Sequence, residues 1–248
     1  MDSQARKIIV ARDEAEMAGI AAERLCDRLA QASEAPAVCL TGGSSPEPLY
    51  RLLAREPWRS RLSLDRTHWF MGDDRFVPPD DRLSNIGMAH RLFLDRVGAP
   101  EEHIHSIPTD CASPDAAACR YESELKRFYG SDRLDPARPL FAIVLMGLAS
   151  DGHTASLFPH APALTERGRW VVGVDQAGLA PFVPRVTLTF PALASTHEML
   201  FLVNGQEKRE VVSRVLGGED LPAARARSDG DLVWLIETAA APAQLQAG

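Results

Sequence analysis

Short apolar runs alternate along the chain with stretches in which apolar residues recur at every third or fourth position. Ala37–Leu40 and Leu140–Met146 are apolar throughout and have the length of buried strands. Met17, Ala21 and Leu25 lie four residues apart and predict one face of a helix. The same reasoning predicts strands at 8–10, 37–40, 67–71, 103–107, 140–146, 170–174, 185–189, 199–203 and 232–236, helices at 116–129 and 206–216, and helices beginning after residues 13, 46 and 84.

This alternation of strands and helices is typical of α/β proteins. It predicts a Rossmann-like, mostly parallel sheet with helices on both faces. The sequence contains no internal repeat and no long linker, so we expect one domain that spans residues 1–248. Ligands of such sheets bind beyond the carboxyl ends of the strands. The polar loops that follow predicted strands are therefore the first places to look for a site.

The composition excludes several classes of partner. The chain has 27 Lys and Arg against 34 Asp and Glu, and the resulting net charge of -7 disfavours binding to nucleic acid. No apolar run is long enough to cross a bilayer, and the first seven residues lack the apolar core of a signal peptide. The four cysteines form no C-x-x-C pair. We therefore expect a cytoplasmic protein without a membrane partner, and the sequence leaves its oligomeric state open.

A glycine-rich segment, 41–46, follows the second predicted strand. Its glycines, Gly42 and Gly43, allow a tight turn and close approach of the backbone to a ligand. Ser44 and Ser45 add hydroxyl groups, and the proline that follows suits the first turn of a helix, whose free N–H groups attract anions. The segment predicts a phosphate-binding loop, with a plain strand-to-helix turn as the alternative. It matches neither a Walker loop nor G-x-G-x-x-G, so no nucleotide cofactor is expected.

A second polar segment begins where the third predicted strand ends. Asp73, Asp74 and Arg75 open a proline-bearing stretch, 72–83, that is expected to be a loop. Acidic groups at this place can bind sugar hydroxyls, and arginine is well shaped for bidentate contact with phosphate. A solvated loop with a local ion pair is the alternative.

Two later basic residues could also neutralise a phosphate. Arg185 opens a predicted strand, and Lys208 lies in the first turn of a predicted helix. Each residue taken alone is more often a surface charge.

An acid and a histidine follow the most apolar predicted strand. Histidine titrates near neutrality, so His153 can take a proton from water and return it. Asp151 lies two residues earlier, across a glycine that permits a sharp bend. The pair predicts an acid–base site, with a structural histidine as the alternative.

A metal site is not expected. His103 and His105 share one face of a predicted strand, a spacing that two metal ligands could use. The sequence places no third ligand beside them. There is also no G-x-S-x-G segment, which argues against the common serine-hydrolase mechanism.

Taken together, these segments resemble the 6-phosphogluconolactonase family, which belongs to a wider group with glucosamine-6-phosphate deaminases and ribose-5-phosphate isomerases. The matching segments occur in the family's order and are Leu40–Pro46, Gly72–Pro78 with Ser84–Asn85, Asp151–Pro159 and Pro184–Thr189. The resemblance covers most of the chain, from about Ile8 to Ile236.

The resemblance implies a Rossmann-like domain that hydrolyses 6-phosphogluconolactone to 6-phosphogluconate, in the oxidative pentose phosphate pathway, without a metal or other cofactor. It implies that His153 is the base and that Asp151 belongs to the same site. It assigns phosphate binding to the loop Gly42–Ser45, to Arg75, and to Arg185 and Lys208.

Three positions depart from the family's usual pattern. Ala149 stands where a glycine is common, Asp74 is shorter than the usual glutamate, and His160 replaces a glycine after the proline. These departures affect the expected fine geometry of the site more than the expected chemistry.

Two alternative functions remain at this stage. A glucosamine-6-phosphate deaminase would share the phosphate loop and the Asp-Gly-His segment, but that family carries Asp-Glu-Tyr where this chain has Asp73–Arg75, and a glutamate before the proline at position 159. A sugar-phosphate sensor without catalysis would be free to lose the acid–base pair, which is retained here.

Overall fold

The computed structural model of the protein describes residues 4–32 and 35–246, in which strands and helices alternate. The strands are β1 (Lys7–Ala11), β2 (Ala37–Leu40), β3 (His68–Met71), β4 (Asp73–Arg75), β5 (Ile104–His105), β6 (Ile143–Met146), β7 (Val171–Val174), β8 (Arg185–Leu188), β9 (Glu198–Val203) and β10 (Asp231–Glu237). The helices are α1 (Glu14–Gln31), α2 (Glu47–Leu53), α3 (Asn85–Ala89), α4 (Asp95–Val97), α5 (Pro114–Tyr129), α6 (Phe190–Ala194), α7 (Arg209–Leu216), α8 (Pro222–Arg225) and α9 (Ala243–Gln246). Turns of 3₁₀ helix lie at Arg59–Arg61, Glu101–His103, Pro162–Thr165 and Gln206–Lys208, and a π turn at His90–Leu94.

A seven-stranded sheet forms the centre of the molecule. Its strand order is β1-β10-β9-β6-β2-β3-β5, and every neighbouring pair in it is parallel. The helices pack around this sheet, so the predicted Rossmann-like α/β class is confirmed. Because all strands point the same way, the loops that follow β2, β3, β6 and β9 emerge at one edge, from four adjacent strands.

A second, smaller sheet was not predicted. It has the order β4-β8-β7 and is antiparallel, with Asp73 opposite Thr187 and Arg75 opposite Arg185. The stretch 72–83 is therefore not a loop throughout, as the sequence suggested, because its first residues pair with β8. Three polar residues in succession carry no strand signal of their own, and only pairing with a distant segment makes them a strand.

Several helix ends follow from capping side chains. Asp13 accepts a hydrogen bond from the Glu16 N–H at the start of α1, and Ser84 accepts one from the Gly87 N–H at the start of α3. Ser113 caps α5, which begins two residues earlier than expected. The helix predicted after Ser84 passes into a π turn, and the helix predicted at 206–216 begins with a 3₁₀ turn.

The core lies on the faces of the central sheet. Trp69, Phe70, Phe201 and Trp234 are fully buried there, and the Phe201 and Trp234 rings stack with centroids 4.1 Å apart. Cys39 is also fully buried, and burial raises the pKa of its thiol. In the part of the chain that the structure describes, no helix is both long and apolar enough to span a membrane. Residues 1–3, which belong to the segment considered above for a signal peptide, lie outside the described residues.

Candidate active site

A cleft of about 220 Å³ opens where the loops after β2, β3, β6 and β9 meet. The predicted site residues that line it are Gly42, Gly43, Ser44, Ser45, Asp73, Arg75, His153, Arg185 and Lys208. Other lining residues are Thr41, Asn85, Gly147, Leu148, Ala149, Thr154, Ala155, Leu179 and Ala180. Asp151 and Asp74, two acids that the sequence suggested for the site, do not line the cleft. Asp151 contacts the imidazole of His153, which does.

The glycine loop is anchored from below by a buried tyrosine. The Tyr50 hydroxyl donates to the Thr41 carbonyl at 2.7 Å and accepts from the Thr41 N–H at 3.1 Å. Gly43 has a φ of +85°, which favours glycine. Among the described residues, the backbone N–H groups of Gly43 and Ser44 have no hydrogen-bond partner. The loop therefore keeps free donors at the cleft, which an anion can use.

The strand β4 divides its side chains between the cleft and the protein interior. Asp73 and Arg75 line the cleft, and Ser156 donates to the Asp73 carboxylate at 2.7 Å. Asp74 points away from the cleft and accepts from the backbone N–H groups of Asn85 and Ile86 at 2.6 and 2.9 Å. Burial raises the pKa of Asp74 to about 6. Asp74 therefore holds the start of α3 and does not contact a ligand in the cleft.

Arg75 and Arg185 are opposite each other on β4 and β8 and bring two positive charges to one wall of the cleft. Arg75 donates through Nη1 to the Leu83 carbonyl, while its buried Nε has no partner among the described residues. Arg185 donates to the carbonyls of Pro181 and Val183. Burial lowers the pKa of Arg185, and the nearby charge of Arg75 lowers it further. Two cations this close favour an anion between them.

Lys208 supplies a third cation to the lining of the cleft. It ends the 3₁₀ turn after β9, and its N–H donates to the Gly205 carbonyl at 3.0 Å. Within residues 4–32 and 35–246, its ammonium group forms no hydrogen bond or ion pair. It is therefore available to a ligand.

His153 is held by Asp151 through two hydrogen bonds. The Asp151 carboxylate lies 2.6 Å from His153 Nδ1 and accepts from the His153 N–H at 3.0 Å. A carboxylate only accepts, so Nδ1 carries the proton and Nε2 of the neutral ring is left with its lone pair. Burial opposes ionisation of Asp151, but the hydrogen bonds from His153, and the positive charge of its ring when protonated, outweigh burial, and the pKa of Asp151 lies below its ordinary value.

The loop after β6 folds tightly around this histidine. Gly152 has a φ of +85°, the Ala149 N–H donates to the His153 carbonyl, and Thr154 Oγ1 donates to the Gly147 carbonyl. The Phe158 ring lies against the imidazole, with centroids 4.4 Å apart. The backbone hydrogen bonds hold the loop in shape, and Asp151 and Phe158 contact the imidazole itself, which also lines the cleft.

Comparison with known proteins shows the family of the chain. A family model described as "Glucosamine-6-phosphate isomerases/6-phosphogluconolactonase" matches residues 12–234. The chain belongs to this family. It is 38% identical to a protein named 6-phosphogluconolactonase from Nostoc sp., over 82% of each chain.

Solved structures of the family have the same fold. The 6-phosphogluconolactonase from Trypanosoma cruzi superposes with a TM-score of 0.84 at 28% identity, over 96% of this chain and 97% of that one. A monomeric glucosamine-6-phosphate deaminase superposes with a TM-score of 0.79 at 22% identity, over 94% and 98%. Because the second identity is so low, that likeness concerns the fold alone.

Two of the departures from the family's usual pattern have a structural explanation. The carboxylate of Asp74 is long enough to reach the N–H groups at the start of α3, so the shorter acid still holds that helix. His160 has a φ of +64°, a conformation that glycine adopts without strain, which is why a glycine suits this position. Ala149 is not among the residues with positive φ in the described chain, so its methyl group causes no backbone strain there.

Sequence reasoning missed the residues that support the site. Asn85 and Thr154 line the cleft, Ser156 holds Asp73, and Asn204 accepts from Ser45. Asn85, Thr154 and Ser156 stand within the segments that carry the family resemblance, so their positions were a usable signal. Asn204 offered no signal beyond its place four residues before Lys208.

The histidines considered as metal ligands are engaged elsewhere. His105 Nδ1 lies 2.6 Å from Glu124, and its Nε2 lies 2.9 Å from His68 Nδ1. His103 contacts the Leu64 carbonyl through Nδ1. In the described ranges, no group of three or more His, Cys, Asp or Glu residues is placed to hold a metal ion.

Proposed function

We propose that this protein is a 6-phosphogluconolactonase, which hydrolyses 6-phospho-D-glucono-1,5-lactone to 6-phospho-D-gluconate in the oxidative pentose phosphate pathway. One observation carries the proposal: an imidazole whose Nδ1 is held by a carboxylate lies in the same cleft as three cations. The names of the relatives support the same substrate. The chemistry combines a base with an anion site, as a phosphorylated lactone requires.

The phosphate end of the substrate binds among positive groups. Arg75, Arg185 and Lys208 surround the cleft, and the glycine loop adds free N–H donors. A phosphate dianion held by these groups fixes the rest of the sugar, and this converts binding into orientation of the lactone carbonyl. Asp73, which also lines the cleft, accepts a sugar hydroxyl through the oxygen that Ser156 leaves free.

His153 acts as the general base. Asp151 orients the ring, stabilises the cation that forms, and remains ionised throughout. His153 Nε2 takes a proton from water, and the water oxygen attacks C1 of the lactone. The C1 carbonyl becomes a tetrahedral oxyanion, which backbone N–H groups or a nearby cation stabilise. When the intermediate collapses, the C1–O5 bond breaks and the protonated imidazole returns its proton to O5. No step of this scheme uses a metal.

One contact favours this reaction over deamination of glucosamine 6-phosphate. The deaminases carry a glutamate at the position before Pro159, where this chain has Phe158. Its ring packs on the His153 imidazole with centroids 4.4 Å apart. An apolar ring there removes the carboxylate that a ring-opening proton relay would use. A sensor without turnover is disfavoured because the oriented histidine is retained.

The reaction itself is the first test. The lactone is generated in situ, and its loss is followed by NMR with protein, without protein, and with protein plus a chelator. Strong acceleration that survives the chelator supports the proposal. If the rate equals that of spontaneous hydrolysis, the proposal is wrong, and release of ammonia from glucosamine 6-phosphate would then identify the deaminase. We also propose that the protein acts in the cytoplasm, in keeping with its four free cysteines.

A further inference from the structure

A chain of hydrogen bonds joins the glycine loop to two other elements. Ser45 Oγ lies 2.6 Å from Asn204 Oδ1, and Asn204 Nδ2 lies 2.6 Å from Glu14 Oε1. Ser45 belongs to the glycine loop, Asn204 directly follows β9, and Glu14 is the first residue of α1. Asn204 is 7% exposed and does not line the cleft. The chain thus connects three elements behind the wall of the cleft.

The direction of this chain is fixed by its last member. A carboxylate only accepts hydrogen bonds, so the atom of Asn204 that faces Glu14 must be the amide nitrogen. The amide oxygen then faces Ser45, and the Ser45 hydroxyl must give its single proton to it. That hydroxyl has no proton left for a phosphate oxygen. The donor that Ser45 has left for an anion is its backbone N–H, which no described residue accepts.

Asn204 also stands at the base of the turn that presents Lys208. The next residue, Gly205, has a φ of +90°, and its N–H donates to Glu237 at 2.9 Å. Its carbonyl accepts from the Lys208 N–H at 3.0 Å. Asn204 is thus hydrogen-bonded to the glycine loop through Ser45, and it is also the residue before the turn that carries Lys208.

We propose that Asn204, oriented by Glu14, is a positioning residue that sets the glycine loop and Lys208 at the separation a phosphate needs. The proposal deepens the proposed function and rests on it for the identity of the phosphate's carrier. Asn204 acts through Ser45 and the Lys208 turn and touches no substrate atom.

Swapping the amide of Asn204 and the carboxylate of Glu14 tests the direction of the hydrogen bonds that join Ser45, Asn204 and Glu14. N204D places a carboxylate against Glu14, so two acceptors face each other and the orientation is lost. In the double variant N204D/E14Q, the amide introduced at position 14 can donate to the carboxylate introduced at position 204, and the net charge equals that of the wild type. E47Q is the matched control, because it removes an exposed acid paired with Arg51 close to the same loop.

The readout is the Kd for inorganic phosphate and for 6-phosphogluconate, measured by calorimetry, beside the free energy of unfolding from denaturant titration. We expect N204D to weaken both ligands by about tenfold, the effect of losing a charge-assisted hydrogen bond. E14Q keeps an acceptor and should weaken them less, and the double variant should recover most of the affinity that N204D loses. The coupling appears as non-additivity in a double-mutant cycle.

Three results would overturn the proposal. In the first, the double variant binds as weakly as N204D. In the second, the double variant regains stability without regaining affinity, which makes the asparagine purely structural. In the third, the wild type binds neither ligand, so no anion site exists. Since these measurements need no turnover, normal anion binding and coupling without lactone hydrolysis would reject the proposed function and leave the role of Asn204 standing.

Discussion

Asn85 occupies the space that a side chain at Gly42 would need: a Cβ on Gly42 would lie 2.0 Å from Asn85 Oδ1. Asn85 is buried, and its Nδ2 donates to the Asp73 carbonyl at 3.1 Å. We expect Gly42→Ala to lower the free energy of unfolding by about 1–3 kcal/mol, the usual cost of overpacking, and to impair lactone turnover. Thermal unfolding and kinetics would measure both effects. The double variant G42A/N85A removes the side chain that the new Cβ would meet. Its free energy of unfolding should therefore be higher than the sum of the two single changes predicts. Strictly additive changes would contradict a direct collision.

The hydrogen bond between Asp151 and His153 should control the rate of reaction. Asp151→Asn removes the charge that stabilises the imidazolium and leaves an uncharged amide, a weaker acceptor, beside the Nδ1 proton. We expect kcat to fall by roughly 10²–10⁴-fold, as for loss of a general base, and His153→Ala to cost a similar factor. Binding of 6-phosphogluconate should change little. Asp220→Asn, in an exposed pair with Arg225, is a control for the loss of one acid. Turnover by either site variant at the wild-type rate would refute the mechanism.

A cluster of histidines should make stability fall at acid pH. Burial, together with His103 and His105, lowers the pKa of His68 from 6.5 to about 4, and His105 in turn contacts Glu124. Between these values the unfolded chain binds a proton that the folded chain does not, so the free energy of unfolding decreases as the pH falls from 6.5 to 4. His68→Asn should flatten this part of the profile, measured by denaturant titration. An unchanged slope in the variant would show that His68 does not titrate as described.

Asp74 should act in the opposite direction in much the same range. Burial raises its pKa from 3.8 to about 6, so the folded chain holds a proton that the unfolded chain has lost. Its contribution to stability is therefore present below pH 3.8 and is lost as the pH rises toward 6. Compared with the wild type, Asp74→Asn should remove this loss and leave a profile that rises more steeply from pH 4 to 6. Denaturant titration across this pH range, as for His68, measures the profile of the variant. A profile shallower than that of the wild type would contradict the raised pKa of Asp74.

His160 carries backbone strain that a smaller residue would relieve. Its φ of +64° is unfavourable for a residue with a Cβ, and the side chain is exposed. We expect His160→Gly to raise the free energy of unfolding by about 0.5 kcal/mol. The strain energy that the folded state loses slightly exceeds the entropic cost of the extra freedom that glycine gives the unfolded chain. A loss of stability would indicate that His160 makes a favourable contact. Pro159→Gly, which changes a neighbour, should bring no such gain.

The inner strands of the central sheet, such as β2, β6 and β9, were predictable because they are buried on both faces. Leu145, Leu200 and Val233 are fully or almost fully buried, and such positions give continuous apolar runs in the sequence. The strand Asp73–Arg75 was not predictable, since its pairing partner lies more than a hundred residues away. Its membership of a sheet depends on that pairing and on no local preference.

The parts of the candidate site that were predictable are those in which residue types in a short segment indicate a chemical role. His153 and the glycine loop follow strands of the central sheet, and the general rule for parallel sheets brings them together. The roles of support residues depend on contacts across the fold. Asp74 looked like a ligand beside Asp73, yet alternation along the strand turns it inward. Asn204 became visible only through its distances to Ser45 and Glu14.

The two walls of the cleft come from separately built sheets. His153, the proposed base, follows β6 of the parallel sheet, whereas Asp73, Arg75 and Arg185 belong to the antiparallel one. In the proposed mechanism, proton transfer therefore depends on the parallel sheet, and phosphate binding by Arg75 and Arg185 depends on the antiparallel one. Substitutions in β4 and β8 can therefore change which anionic tail of a lactone is bound while leaving Asp151 and His153 in place.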